Sequence, residues 1–363
     1  MINKVFHPLS GASYTFKDNY LNYVISNLNK KEIRLSVGFQ PNGIPHVGTI
    51  CLISLSFSLA QKLVEKGIKV IIYFEYVDTA SFSTKKYDGV VYQKSLRSET
   101  KINHIITDYL EIFNFYSELS GISYKVRGQA EFNKENKDIY RTLKYLIKNE
   151  NKFVSYLDLN YNKLRIRVSC PQCGLTDKNS IKTSIYGTTI SSVCPKHGSF
   201  KYNIKKDIQN LELNTPFRNL VRALVYTKDN NNPNVNYEWI KITGMDYSGF
   251  FQEHQLYRII SRLNVKAHNL LMILYCPLIC DWSGAKLSKS INLADGYGQD
   301  NIINYSDLKQ RYGDDGLKKI FLLTNIWIEE PYMLFRNYTI DFFQTFLTMN
   351  DKTAIKKYLK GAK

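Results

Sequence analysis

Four short stretches of this 363-residue chain combine residue types and spacings that could do chemistry. The first is Pro41-Asn42-Gly43-Ile44-Pro45-His46-Val47-Gly48-Thr49. It lies between a strand-like run and a helical one, where free N–H groups and the helix dipole favour phosphate. Gly48 has no side chain, so a flat base could lie against its backbone. His46 could donate to phosphate oxygens as charge builds on them. The second stretch is Gly284-Ala285-Lys286-Leu287-Ser288-Lys289-Ser290. Lys286 and Lys289 are mobile point charges that could close over a triphosphate and stabilise charge on departing pyrophosphate. The third, Thr243-Gly244-Met245-Asp246, follows a strand-like run. A carboxylate just past a strand end can accept both hydroxyls of a ribose.

The fourth is a pair of knuckles, Cys170-Pro171-Gln172-Cys173-Gly174 and Cys194-Pro195-Lys196-His197-Gly198. Three thiolates and one imidazole (Cys170, Cys173, Cys194 and His197) make a closed tetrahedral set suited to structural Zn²⁺. Twenty residues separate the two halves, as in a zinc ribbon. A redox CxxC fits less well, because the second pair ends in histidine. Cys51, Cys276 and Cys280 read as core residues. Taken singly, each of the other three stretches is also what an ordinary capped turn or a solvated basic loop looks like.

The elements around these stretches supply a frame. Residues 1–30 read as an opening helix with polar flanks. Arg34 to Phe39 has strand character, residues 47–66 are helical and end at Gly67, and Lys69 to Phe74 is a continuous β-branched and aromatic run. Such runs mark parallel strands buried on both faces. Strand, helix, strand gives a βαβ unit and hence an α/β, doubly wound parallel-sheet nucleotide-binding fold. Residues 95–120 and 135–150 read as helices, and 165–205 as a small zinc-binding insert. A strand at Tyr237–Ile242, a helix near 249–263 and a strand near 270–276 resume the pattern, and the chain is helical after 305. The boundaries expected are 1–164 for the first half of the catalytic domain, 165–205 for the insert, 206–300 for the second half and 301–363 for a short helical tail.

The first stretch resembles the HIGH signature of class I aminoacyl-tRNA synthetases, with Thr49 in place of the final histidine. The second resembles their KMSKS signature, with Leu287 for methionine. The order is correct, and the two motifs stand about 240 positions apart. The string from Gly38 to Thr49 is most similar to that of class I lysyl enzymes, and tryptophanyl enzymes have a similar one. The resemblance covers roughly residues 30–300. It implies a Rossmann-like, HUP-type catalytic domain that binds ATP and Mg²⁺. Catalytic roles fall to His46, Lys286 and Lys289, and nucleotide contacts to Pro45, Gly48, Thr49, Gly244, Asp246 and Ser288. The implied reaction joins an amino-acid carboxylate to the α-phosphate of ATP and passes the aminoacyl group to an acceptor, with tRNA the first choice. No general base is needed for a carboxylate already ionised. Lysine is the first choice of amino acid.

Glu75 or Asp78, at the end of the second strand, could hold the substrate ammonium or simply be polar strand-end residues. Glu253 and His254 could face the amino-acid pocket or the surface. The zinc insert resembles modules that lie near the tRNA acceptor end in lysyl- and glutamyl-like enzymes. About 70 residues follow the lysine loop, too few for the large anticodon-binding domains of those enzymes. A tRNA-modifying paralogue, an amino-acid ligase with a non-tRNA acceptor, a non-catalytic RNA-binding paralogue and a nucleotidyltransferase are the alternatives.

Composition agrees with these expectations. A formal charge of +17 fits a polyanionic partner, and equally a lysine-rich solvated surface. Hydrophobic residues make up 44%, enough for a full core. The start lacks a signal-like apolar stretch, and Leu270 to Ile279 is too short to span a bilayer. A cytoplasmic protein without membrane contact is expected.

Overall fold

The computed structural model describes residues 20–41, 43–98, 106–157, 162–263, 270–281, 284–286, 304–350 and 355. After a short helix, Tyr20–Ser26, the chain enters β1 (Glu32–Phe39), the helix Val47–Glu65 and β2 (Lys69–Tyr76). A hairpin of β3 (Ser81–Tyr87) and β4 (Val90–Ser95) follows, then the helix Thr107–Ser120 and β5 (Tyr124–Gly128). The cysteine-bearing segment supplies six short strands: β6 (Ile166–Val168), β7 (Leu175–Asp177), β8 (Ser184–Tyr186), β9 (Thr189–Cys194), β10 (Gly198–Asn203) and β11 (Leu211–Leu213). The helix Thr215–Asn231 leads to β12 (Tyr237–Gly244), and β13 (Met272–Cys276) completes the main sheet. Beyond it come β14 (Ile279–Cys280), the long helix Tyr305–Glu329, β15 (Tyr338–Thr339) and the helix Ile340–Thr348.

The main sheet runs β13-β12-β1-β2-β5, with every neighbouring pair parallel. In chain order that is fifth, fourth, first, second, third, so the winding reverses between β1 and β12. This is a Rossmann-like α/β fold. Its ligand crevice lies where the order reverses, outside the carboxyl ends of β1 and β12. The strands are buried because helices cover both faces. One face carries Val47–Glu65 and Tyr305–Glu329, joined around residues such as Phe57, Phe74, Phe113 and Trp327. The other carries Thr215–Asn231, over Tyr73, Tyr226 and Trp239. Val47–Glu65 is long and apolar enough to cross a membrane, yet two-thirds of that window is buried against the rest of the protein. Gly67, just past its end, has φ +79°, as expected of a helix-terminating glycine.

Several expectations need correction. A helix does not run from residue 95: β4 ends there, a 3₁₀ turn covers Leu96–Ser98, and the described helix begins at Thr107. Val90, Val91 and Tyr92 are strand formers whose partner, β7, lies more than 80 residues away. The 135–150 helix is two pieces, Gln129–Glu135 and Ile139–Lys148, broken at Asn136, whose backbone is extended. Strands on either side of 165–205 pair with strands inside it, β11 with β6 and β4 with β7. Of the opening helix, only Tyr20–Ser26 lies within the described residues.

Candidate active site

The carboxyl ends of β1 and β12 open into a cavity of about 240 Å³. Gly38, Phe39, Gln40, His46, Gly48 and Thr49 line it from the first segment. Thr243, Gly244, Asp246 and Tyr247 line it from the second, and Lys286 from the third. Ligand-binding positions expected from three distant stretches therefore meet at the crevice that the strand order creates.

His46 is the N-cap of Val47–Glu65, and its Nδ1 accepts the Gly48 N–H at 3.1 Å. A neutral ring that accepts on Nδ1 carries its proton on Nε2. That atom lies 3.5 Å from Thr49 Oγ1. A side chain on Gly48 would meet the His46 ring at 3.0 Å, so glycine lets the imidazole lie along the first turn. Thr49 donates its N–H to the His46 carbonyl. Pro45 is buried behind the histidine and is not a lining residue; its carbonyl accepts from Tyr305 N at 2.8 Å.

Asp246 stands on a 3₁₀ turn, Met245–Tyr247, at the end of β12. A Cβ at Gly244 would fall 2.4 Å from its Oδ1, so only glycine leaves the carboxylate where it is. Lys286 Nζ pairs with Asp246 Oδ2. The lysine is about half exposed, so the pair contributes little and is readily exchanged for other partners. Lys289 and Ser288 lie outside the described residues.

Glu75 does not serve as a receptor for a substrate ammonium. Its carboxylate is wholly buried and already saturated. Ser36 Oγ donates to it at 2.6 Å, Arg127 through Nε and Nη2 at 3.0 and 2.7 Å, and Arg222 Nη1 at 3.4 Å. The Tyr226 hydroxyl donates as well. Burial alone would raise its pKa, but Arg222, Arg127 and Lys241 outweigh burial and hold the carboxyl far below the usual range. Asp78 differs: Oδ2 accepts from Ala130 N at 3.0 Å, while the buried Oδ1 has no hydrogen-bond partner. Glu253 is exposed, whereas His254 lines a second cavity and donates through Nε2 to the Tyr156 carbonyl oxygen, 2.7 Å away. His254 sits within a π-helical stretch, Ser248–Tyr257, a distortion common at functional sites.

The ligand atoms of Cys170, Cys173, Cys194 and His197 all lie within 4.8 Å of one another. Cys170 Sγ is 3.4 Å and Cys194 Sγ 3.6 Å from His197 Nδ1, and Cys173 Sγ is 3.6 Å from Cys194 Sγ. These are the edges expected for donors about 2.0–2.3 Å from one centre, so the set could hold zinc. The hydrophobic cluster beneath it is small: Val90, Tyr92 and Leu175 with two of the cysteines. Such a cluster is too small to hold a module alone. Chelation is expected to strip one zinc per chain, and hydrogen exchange should then rise in β7–β10 well before it rises in the main sheet. Unchanged exchange after verified metal loss would contradict a structural zinc.

No family model matches the chain, and no curated protein matches it in sequence. Among solved structures it is similar to a glutamate-tRNA synthetase from Elizabethkingia anophelis, at 10% identity and TM-score 0.38, over 91% of this chain and 73% of that one. It is also similar to the Mycobacterium tuberculosis methionyl-tRNA synthetase in complex with methionyl-adenylate, at 11% identity and TM-score 0.42, over 87% and 68%. The functional reading rests on the residues of the site itself.

Proposed function

We propose that this chain activates an amino acid with ATP, as an aminoacyl-tRNA synthetase-like ligase, and passes the aminoacyl group to an acceptor, tRNA first among the choices. One observation carries the reading. His46, Gly48, Gly244, Asp246 and Lys286 come from three separate segments and line one cavity at the reversal of the sheet. A non-catalytic paralogue has no need of a mobile lysine pointed at a ribose-binding carboxylate.

In this reading Asp246 exchanges Lys286 for the ribose hydroxyls. Lys286 is then free to turn to the phosphates, with Lys289 beside it. His46 donates through Nε2 to a phosphate oxygen, backed by the helix N-terminus that it caps. Mg²⁺ is the expected companion of the triphosphate. Catalysis rests on positioning and electrostatics, with no proton to remove. Asp78 Oδ1, buried and unpartnered, is the better candidate for an ammonium now that Glu75 is saturated. Zinc at Cys170, Cys173, Cys194 and His197 holds the insert. The +17 charge is compatible with a polyanionic acceptor. The first-motif resemblance favours lysine as the amino acid, whereas the neighbouring cavity has a basic lining.

The test is ATP–pyrophosphate exchange with each common amino acid, with and without bulk tRNA. Exchange that depends on one amino acid is expected. Pyrophosphate release that ignores amino acids would favour a nucleotidyltransferase instead.

A further inference from the structure

A second cavity, of about 500 Å³, adjoins the first and shares Gln40 with it. Its floor is the loop after β2 and the N-terminus of Thr215–Asn231; its roof is the cysteine-bearing insert, through Arg165, Arg167 and Lys178. Arg218 and His254 complete its basic lining, and none of the described lining residues is acidic.

The buried charges here do not balance. Glu75 neutralises Arg127 and Arg222. Arg218 is only 6% exposed, yet the sole hydrogen bond of its side chain among the described residues goes to Thr215 Oγ1, at 3.2 Å. No described carboxylate pairs with it. Burial, then Arg222, pushes its pKa down to about 9, although Tyr247 and Asp78 pull the other way. Arg167 is 7% exposed; its Nε makes no hydrogen bond and stands 4.0 Å from Glu212. Thr79 Oγ1, buried on the opposite wall, also lacks a partner. Lys241, with no described carboxylate within ion-pair reach, brings its Nζ within 3.4 Å of where a Cβ on Gly38 would stand, at the edge of the first cavity. A buried guanidinium without an anion is costly, and the deficit is removed by a ligand that supplies one.

We infer that this cavity receives an anionic group on the side chain of the amino-acid substrate, making the substrate a dicarboxylic amino acid rather than lysine. The inference rests on the adenylation reading for its neighbour and deepens it. The shared Gln40 puts the two cavities side by side, so one small molecule can present its α-carboxylate to the first and a second carboxylate to Arg218. A lysine ammonium would meet a lining that carries Arg165, Arg167, Lys178 and Arg218 and no described carboxylate. A nucleic-acid backbone is a poorer fit, because Arg218 and Arg167 are too deeply buried for a continuous phosphate chain to reach.

Two measurements separate the possibilities. The first is pyrophosphate exchange with aspartate, glutamate, α-aminoadipate, glutamine and lysine. The second is calorimetric binding of the same five probes to the full chain, wild type, Arg218→Gln and Arg218→Lys. Exchange with a dicarboxylic acid over its amide and over lysine is expected. Its binding should weaken at least about tenfold in Arg218→Gln and largely recover in Arg218→Lys. Where Arg218→Gln does not fold, Lys178→Gln, at a partly exposed position, carries the same expectation. Exchange with lysine or a neutral amino acid alone would overturn the anionic assignment and leave adenylation standing. Arg218-dependent binding of a dicarboxylate without exchange would support the cavity and sink the adenylation reading. Neither binding nor exchange would overturn both.

Discussion

Replacing His46 with alanine is expected to lower amino-acid-dependent pyrophosphate exchange by about two to three orders of magnitude, the usual effect of deleting one preorganised donor at developing charge. The same change removes the side chain that caps Val47–Glu65, and so costs about 1 kcal/mol of stability. His46→Asn separates the two roles. Asparagine is a good N-cap, so stability should return to near wild type, while exchange recovers only in part because the shorter amide cannot put a donor where Nε2 stands. Equal exchange rates in wild type and His46→Ala, with stability lowered, would leave His46 as a cap and nothing more.

The second large effect concerns stability rather than rate. Among the described residues Glu75 is the one carboxylate that pairs with both Arg127 and Arg222, and it also takes the Ser36 and Tyr226 hydroxyls; the exposed Glu135 reaches Arg127 alone, at 3.4 Å. Glu75→Gln leaves both guanidinium groups in place and removes the buried counter-charge that they share. Breaking a buried pair in this way costs about 3–5 kcal/mol, far more than a surface charge change. Denaturant unfolding should show it. A midpoint close to wild type would mean that the cluster is hydrated and not a buried ion network. The sign with pH follows from the depressed folded-state pKa of Glu75. Its contribution is fully present above the unfolded carboxyl value of about 4.3 and is lost as pH falls below it. Wild type should therefore lose stability in acid more steeply than Glu75→Gln.

The parts legible in the sequence are those with local causes. The buried β-branched run of β2, the His46 cap and Gly67 past the helix end are each set by neighbours in the chain. The cluster of Cys170, Cys173, Cys194 and His197 was legible for the same reason, since each knuckle is self-contained. The β3–β4 hairpin was not, because β4 is finished by β7 from across the insert. Glu75 shows the limit most clearly. As a strand-end carboxylate it reads equally as a ligand for an ammonium or as an ordinary polar residue, and only the arrival of Arg127, Arg222 and Tyr226 from two other elements turns it into a structural centre. Arg218 is the converse case. It looks like one more charge on a helix whose start is signalled by Asn214 and Pro216, and nothing local says that it lacks a carboxylate.

The cavity between β1 and β12 is proposed to join an amino acid to the α-phosphate of ATP. A rapid-quench experiment with α-labelled ATP tests it most directly. The expected result is an enzyme-bound aminoacyl-adenylate that forms only with the cognate amino acid, in step with pyrophosphate, and fails to form in Lys286→Ala. Labelled ADP as the product, or labelled AMP transferred without any amino acid, would contradict it.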